Sequence, residues 1–159
     1  MRANRGKGWE AQLVTQHLAY RRDRRAMIFQ AHPATKVVGG RIVREKAPPD
    51  FFGVADNPGG GGGIPVLFDA KEGRGILWGL SNLKDHQAKA LEAWVVNGGR
   101  AGVVLRLPAG SWWIDWRFLG PTWKAWRSDG GRASLDPGWI TAWAAPFQGA
   151  DWLGAMLSC

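Results

Sequence analysis

The chain of 159 residues has a single cysteine, and that is the last residue, Cys159. No internal disulfide can form and no cysteine-based zinc site can be built, which implies a reducing, intracellular, cytoplasmic setting. Long apolar runs are missing too. The opening MRANRGKGWE carries no hydrophobic leader core, and no later stretch reaches the ~20 apolar residues that a membrane span needs, so secretion and membrane insertion are disfavoured. Internal repeats are absent. Acidic residues are scarce, with 13 Asp and Glu against 21 Lys and Arg, and the net charge of +8 points to a polyanionic partner. The imbalance is local: residues 1–50 hold eleven basic against four acidic side chains, residues 51–111 six against five, and residues 112–159 four against four. A ribosomal-type protein would spread its cations more evenly. With 45% hydrophobic residues, the length suits one domain: an N-terminal helix and arm (1–25), a core (26–107) and a Trp-rich part (112–159).

What is present centres on Pro48 to Lys71, PPDFFGVADNPGGGGGIPVLFDAK. Two apolar runs, Phe51 to Ala55 and Ile64 to Ala70, flank a strong chain-reversal signal and predict an antiparallel hairpin. In such a hairpin Asp50 comes beside Asp69 and Lys71. Alternation along the second strand puts Leu67, Asp69 and Lys71 on one face and Phe68 and Ala70 on the other. Two carboxylates and an amine at the end of an apolar strand are costly unless a metal or an anionic ligand compensates them, and Mg²⁺, which prefers oxygen ligands, suits the set. The plainer alternative is a surface turn with a Lys/Asp pair.

Upstream, Gly6 to Tyr20 predicts a helix whose stripe Glu10, Val14, Leu18, with Leu13 and His17 beside it, faces the interior. Glu10 is then either a third acidic group approaching the metal, directly or through water, or an ordinary glutamate at a helix start. Arg21, Arg22, Arg24 and Arg25 follow, more cations than a helix end requires, and phosphate contact accounts for them. Ala26 to Ala31 predicts a buried strand ended by the turn at His32-Pro33. Thr35 to Arg44 is a second hairpin about Gly39-Gly40, with Lys36, Arg41, Arg44 and Lys46 making it basic; the alternative is a pair of edge strands protected by charge. Downstream, a helix capped by Ser81 or Asn82 lines up Leu83, Gln87, Ala90, Leu91, Trp94 and Val95, with His86 facing outward. Gln87 is the polar exception on that stripe. Ala101 to Leu107 and Ser111 to Trp116 predict strands, and Pro121 opens a short helix through Trp126. Eight of the eleven tryptophans lie from Trp112 onward, and the neutrality of that region favours packing or a subunit interface over nucleic-acid contact.

Pro49-Asp50 followed by Asp69-Ala70-Lys71 is similar to the signature of the PD-(D/E)xK nuclease superfamily. The order NRGKGWEAQL, PPDFFGV, LFDAKEG, LKDHQAKAL resembles, over Asn4 to Leu107, the Holliday junction resolvases of the RecU and Hjc type. Asp69 stands where that family usually has Glu, one methylene shorter with the same chemistry. The resemblance implies an α/β fold, a mixed central β-sheet flanked by helices with a restriction-endonuclease-like core, and a metal-dependent, structure-selective endodeoxyribonuclease that resolves four-way DNA junctions. It implies Asp50, Asp69 and Glu10 as metal ligands, Lys71 and Gln87 as further catalytic residues, and Mg²⁺, with Mn²⁺ substituting, as cofactor. Branched DNA and a second copy in a homodimer are the implied partners. Arg2, Arg5, Lys7, Arg21, Arg22, Arg24, Arg25, Lys36, Arg41, Arg44, Lys46, Arg74 and Lys84 are the candidate DNA contacts. A duplex or flap endonuclease of the same superfamily, or a non-catalytic nucleic-acid-binding module, are the alternatives.

Overall fold

The computed structural model describes residues 7–159, so Arg2, Arg5 and the expected helix start at Gly6 lie outside the described residues. The elements run α1 (Lys7–Arg22), β1 (Ala26–Gln30), β2 (Thr35–Val38), β3 (Arg41–Arg44), β4 (Phe51–Ala55), β5 (Ile64–Glu72), β6 (Trp78–Gly79), a 3-10 turn (Leu80–Asn82), α2 (Asp85–Val96), β7 (Arg100–Leu107), β8 (Gly110–Asp115), α3 (Trp116–Asp129), β9 (Ser134–Leu135), α4 (Pro137–Trp143), β10 (Ala145–Phe147) and α5 (Leu153–Leu157). Six strands form one sheet in the order β1-β4-β5-β7-β8-β10. Every neighbouring pair is antiparallel except β5 and β7, which are parallel and need the crossover that α2 supplies. This is the expected α/β architecture with a mixed sheet flanked by helices.

Both sheet faces are covered around β5, which explains the unbroken apolar run VLF before Asp69. Val66 and Phe68 pack with Trp9, Leu13, Phe51, Val104, Trp113 and Trp152 on the face of α1 and α5. Leu67 points the other way, with Leu91, Val103, Leu105, Ile114, Trp116 and Leu119 beneath α2 and α3. Two chain reversals depend on glycine. Gly39 and Gly40 take φ of 57° and 75°, as a two-residue I′ turn requires. Gly60, Gly61 and Gly62, between β4 and β5, all have positive φ of 81° to 96°. The β2–β3 hairpin is a separate two-stranded sheet exposed along its whole length, so it is not a pair of edge strands of the main sheet. Among the described residues no helix is long and apolar enough to cross a membrane.

Several expectations are corrected. The buried stripe of α1 is Trp9, Leu13, His17 and Tyr20, one position back from Glu10, Val14 and Leu18, and the last two are exposed. Both stripes have the same spacing. The aromatic one prevails because it buries more apolar area and satisfies its polar atoms: Trp9 Nε1 donates to the Val104 carbonyl at 3.3 Å, and Tyr20 Oη donates to Asp151 at 2.6 Å. β1, expected to be buried, is an edge strand with Met27 and Phe29 exposed, since α1 covers only one of its faces. Lys84, not Ser81 or Asn82, caps α2, because those two residues are taken into the preceding 3-10 turn. Trp116 belongs to α3 rather than to β8. Asp115 accepts the Arg117 N–H at 3.0 Å and starts the helix there, which leaves Pro121 in the helix interior and not at its first turn. Trp113, Trp116, Trp139 and Trp152 are buried, so these four act in packing.

His17 lies among the rings of Tyr20, Phe51, Phe68 and Trp152, and its Nε2 accepts from Trp152 Nε1 at 3.0 Å. That bond requires a neutral ring, and burial lowers the His17 pKa from 6.5 to about 4. Between these values the unfolded chain binds the extra proton, so stability is full above pH 6.5 and falls as pH drops toward 4, by roughly 3 kcal/mol. Urea unfolding across this range is expected to show the decline in the wild type and a flatter profile in His17→Gln, whose amide oxygen can accept the same bond. Equal profiles would remove His17 from the acid response.

Candidate active site

The β4–β5 register pairs Phe51 with Phe68, which sets Asp50, just before β4, against Asp69. Backbone and side chains then interlock. The Asp50 N–H donates to Asp69 Oδ1 at 3.1 Å, and the Ala70 N–H donates to Asp50 Oδ2 at 2.8 Å. Asp69 is fully buried beneath the α2 face. Lys71, two residues on along β5 and only 19% exposed, brings Nζ to 2.8 Å from Asp69 Oδ2. The ammonium is close to this oxygen but not aligned on it as a hydrogen-bond donor, so among the described residues Oδ2 has no aligned hydrogen-bond partner.

Gln87 enters from the first turn of α2. Its Nε2 donates to Asp69 Oδ1 at 3.4 Å, and its Oε1 accepts from Lys71 Nζ at 3.3 Å and from the Lys84 N–H at 3.0 Å. The partners of this buried glutamine are thus the site itself and the start of its own helix. Glu10 stands beside the cluster on the first turns of α1, where Gln30 Nε2 donates to its Oε2 at 3.4 Å. Sequence patterning did not single out Gln30, since a polar residue at a strand end carries no distinguishing signal.

Electrostatics mark the site. Burial, and next the negative charge of Asp69, push the Asp50 pKa up from 3.8 to about 8, while the Ala70 N–H pulls the other way. Burial and the Asp69 charge also raise Glu10, opposed by Lys71 and Lys7. A buried and a half-buried carboxylate in contact hold either a proton or a cation between them. The residues fit a hard divalent ion: the donors are oxygens, Asp69 Oδ2 lacks an aligned donor, and one or two carboxylates completed by waters and substrate phosphate is a usual magnesium set. Among the described residues no group of three or more His, Cys, Asp or Glu is placed to hold an ion, so Glu10 is not gathered into a three-carboxylate cluster as expected.

The cationic candidates among the described residues are all exposed, but not all are free. Arg22 pairs with Asp23 at 3.0 Å, Lys36 with Glu45 at 3.3 Å, and Arg25 lies 3.9 Å from Asp151 and over the Tyr20 ring. Lys7, Arg21, Arg41, Arg44, Lys46, Arg74 and Lys84 are exposed, and Arg24 holds a left-handed φ of 57° at the end of α1.

A mixed sheet with an Asp pair and a lysine at the end of its hairpin has the pattern of the PD-(D/E)xK nuclease class. The model of the family described as Recombination protein U, RecU, matches residues 4–144, and the chain belongs to that family. Among solved structures it is similar to Hjc from Archaeoglobus fulgidus, a Holliday junction resolvase from an archaeal hyperthermophile, with a TM-score of 0.51 at 15% identity over 89% of this chain and 97% of that one. No curated protein matches the chain in sequence.

The raised pKa of Asp50 has a measurable cost. A carboxyl whose folded pKa exceeds its unfolded value binds more protons when folded, so without cations the protein loses stability as pH rises from 3.8 toward 8. Asp50→Asn is expected to be more stable than wild type at pH 8, with the difference vanishing near pH 4. Denaturation in EDTA at both pH values measures it, and a pH-independent difference would contradict this account.

Proposed function

We propose that this chain is a metal-dependent, structure-selective endodeoxyribonuclease that resolves four-way DNA junctions by phosphodiester hydrolysis. The observation that carries the proposal is the Asp50–Asp69 pair, with Asp69 buried and Lys71 Nζ at 2.8 Å from it, in a RecU-family chain whose fold is similar to that of a junction resolvase. Asp50 and Asp69 are the residues that would hold Mg²⁺, or Mn²⁺ in its place, with Glu10 acting through water. An ion held there supplies Lewis acidity toward the phosphate and an activated water nucleophile. Lys71 brings a positive charge to the phosphate oxygens, whose charge grows during in-line attack. Gln87 fixes that ammonium from one side, and its amide holds Asp69 in register.

A purely binding role is disfavoured by the same geometry, since carboxylates facing a phosphate backbone weaken binding unless an ion intervenes. The enzyme is proposed to act as a homodimer, because cutting two opposed strands requires two like sites at fixed separation. Exposed apolar surfaces for this include the hairpin residues Val37, Val38 and Ile42, the uncovered strand residues Met27, Phe29, Phe52 and Val54, and Trp143 of the C-terminal part; the buried tryptophans are not available.

Asp69→Asn is expected to abolish cleavage of a four-way junction in Mg²⁺ while junction affinity is kept or improved, and parallel loss of both would point to a folding role instead. Lys71→Ala is expected to slow single-turnover cleavage by roughly 10² to 10³ fold. An unchanged rate would remove it from the chemistry. Sedimentation at micromolar concentration is expected to give the dimer mass; a monomer with full junction cleavage would rule the dimer out.

A further inference from the structure

A cleft of about 390 Å³ opens between the foot of the β2–β3 hairpin, the start of α2 and the end of α3. Lys46, Leu83, Lys84, His86, Trp126 and Arg127 form its working walls. The volume is in the range of pockets for small ligands and too large for a single phosphate contact on a duplex, which needs no pocket at all. Its chemistry is divided. Lys46, Lys84 and Arg127 supply positive charge, with Asp85 the acidic group on the wall and already paired with Arg127 at 2.9 Å. Trp126, half-buried, supplies aromatic surface, whereas Leu83 is buried in the core.

The walls are held in place before any ligand arrives. The Arg127 guanidinium sits over the rings of both Trp123 and Trp126, at 5.7 and 5.4 Å, and those rings pack edge to face at 6.1 Å. Trp123 is tied by Nε1 to the Leu83 carbonyl at 3.3 Å. The cleft also adjoins the chemistry. The Lys84 N–H donates to the same Gln87 oxygen that receives Lys71 Nζ. On its other side Lys46 follows Glu45, whose N–H closes the hairpin base on the Ala34 carbonyl at 2.8 Å.

We infer that this cleft seats one unpaired nucleotide of the DNA strand that passes the carboxylate site, its base against Trp126 and its phosphate toward Lys46, Lys84 and Arg127. The inference rests on the nuclease reading above and adds to it a source of selectivity. An intact duplex has no unpaired nucleotide to offer, and pulling one out costs unstacking and unpairing energy. A branch point offers one at lower cost. Base-on-aromatic stacking is tolerant of sequence, so the cleft discriminates structure and not base identity.

The test is an abasic scan on full-length protein, with EDTA present to prevent cleavage. Four-way junctions carrying one abasic nucleotide at successive positions through the branch point are titrated against wild type and against Lys46→Ala with Arg127→Ala, whose fold is checked by circular dichroism. In the wild type, one position is expected to show an affinity loss of about tenfold, the scale of one stacked base. In the double variant, affinity for the unmodified junction is lower and the penalty at that position disappears. A flat scan with normal junction binding, or a penalty unchanged in the variant, overturns the inference while leaving the nuclease reading intact. Failure of the wild type to prefer a junction over duplex would remove both.

Discussion

Placing two carboxylates side by side inside a protein is the constraint on which this structure turns. Asp69 is wholly buried, and Asp50 touches it through its own backbone. Such an arrangement survives only if something fixes the pair against its repulsion. Here that is the hydrogen-bonded hairpin, the lysine next along the strand, and a glutamine from the crossover helix. The site lies where β5 emerges from the apolar interior, so the dielectric changes from core to solvent within a residue or two. That position strengthens the attraction of Lys71 and makes a bound cation worth more than it would be in water.

Gln87 links this site to the fold. Its side chain closes the first turn of α2 on the Lys84 N–H and also reaches Asp69 and Lys71. The geometry of the charged cluster is therefore tied to where α2 begins, and α2 is the connection that makes β5 and β7 parallel. A shift of that helix would move the amide away from both charged groups. Structural and chemical roles fall on one residue because the start of the crossover helix lies over the strand end.

Charge and aromatic content divide the labour between the two parts of the chain. The basic first third carries the hairpin and the exposed arginines; the neutral last third supplies Trp113 and Trp152 to one face of the sheet and Trp116 and Trp139 to the other. Trp152 and Tyr20 interlock α1 with the C-terminal turn, so the helix bearing Glu10 is positioned by residues from the far end of the chain.

The hairpin of Asp50, Asp69 and Lys71 was legible in the sequence because everything that builds it is local. A glycine-rich reversal pairs two neighbouring runs, and the two-residue period of a strand then puts Asp69 and Lys71 on one face. The glycine pair at 39–40 and the mixed, helix-flanked fold were legible on similar grounds. Partners distant in sequence decided the rest. The two stripes of α1 have the same spacing, and only the carbonyl of Val104 and the Asp151–Trp152 corner select the one with Trp9 and Tyr20. Ala26 to Gln30 is apolar enough for a central strand, but among the described residues no further strand pairs beyond it, and it became an edge. Pro121 reads as a helix start until the Asp115 side chain caps the chain six residues earlier. Local periodicity ranks such alternatives equally, whereas burial and hydrogen-bond satisfaction in three dimensions do not, and that difference separated what the sequence determined from what the tertiary structure decided.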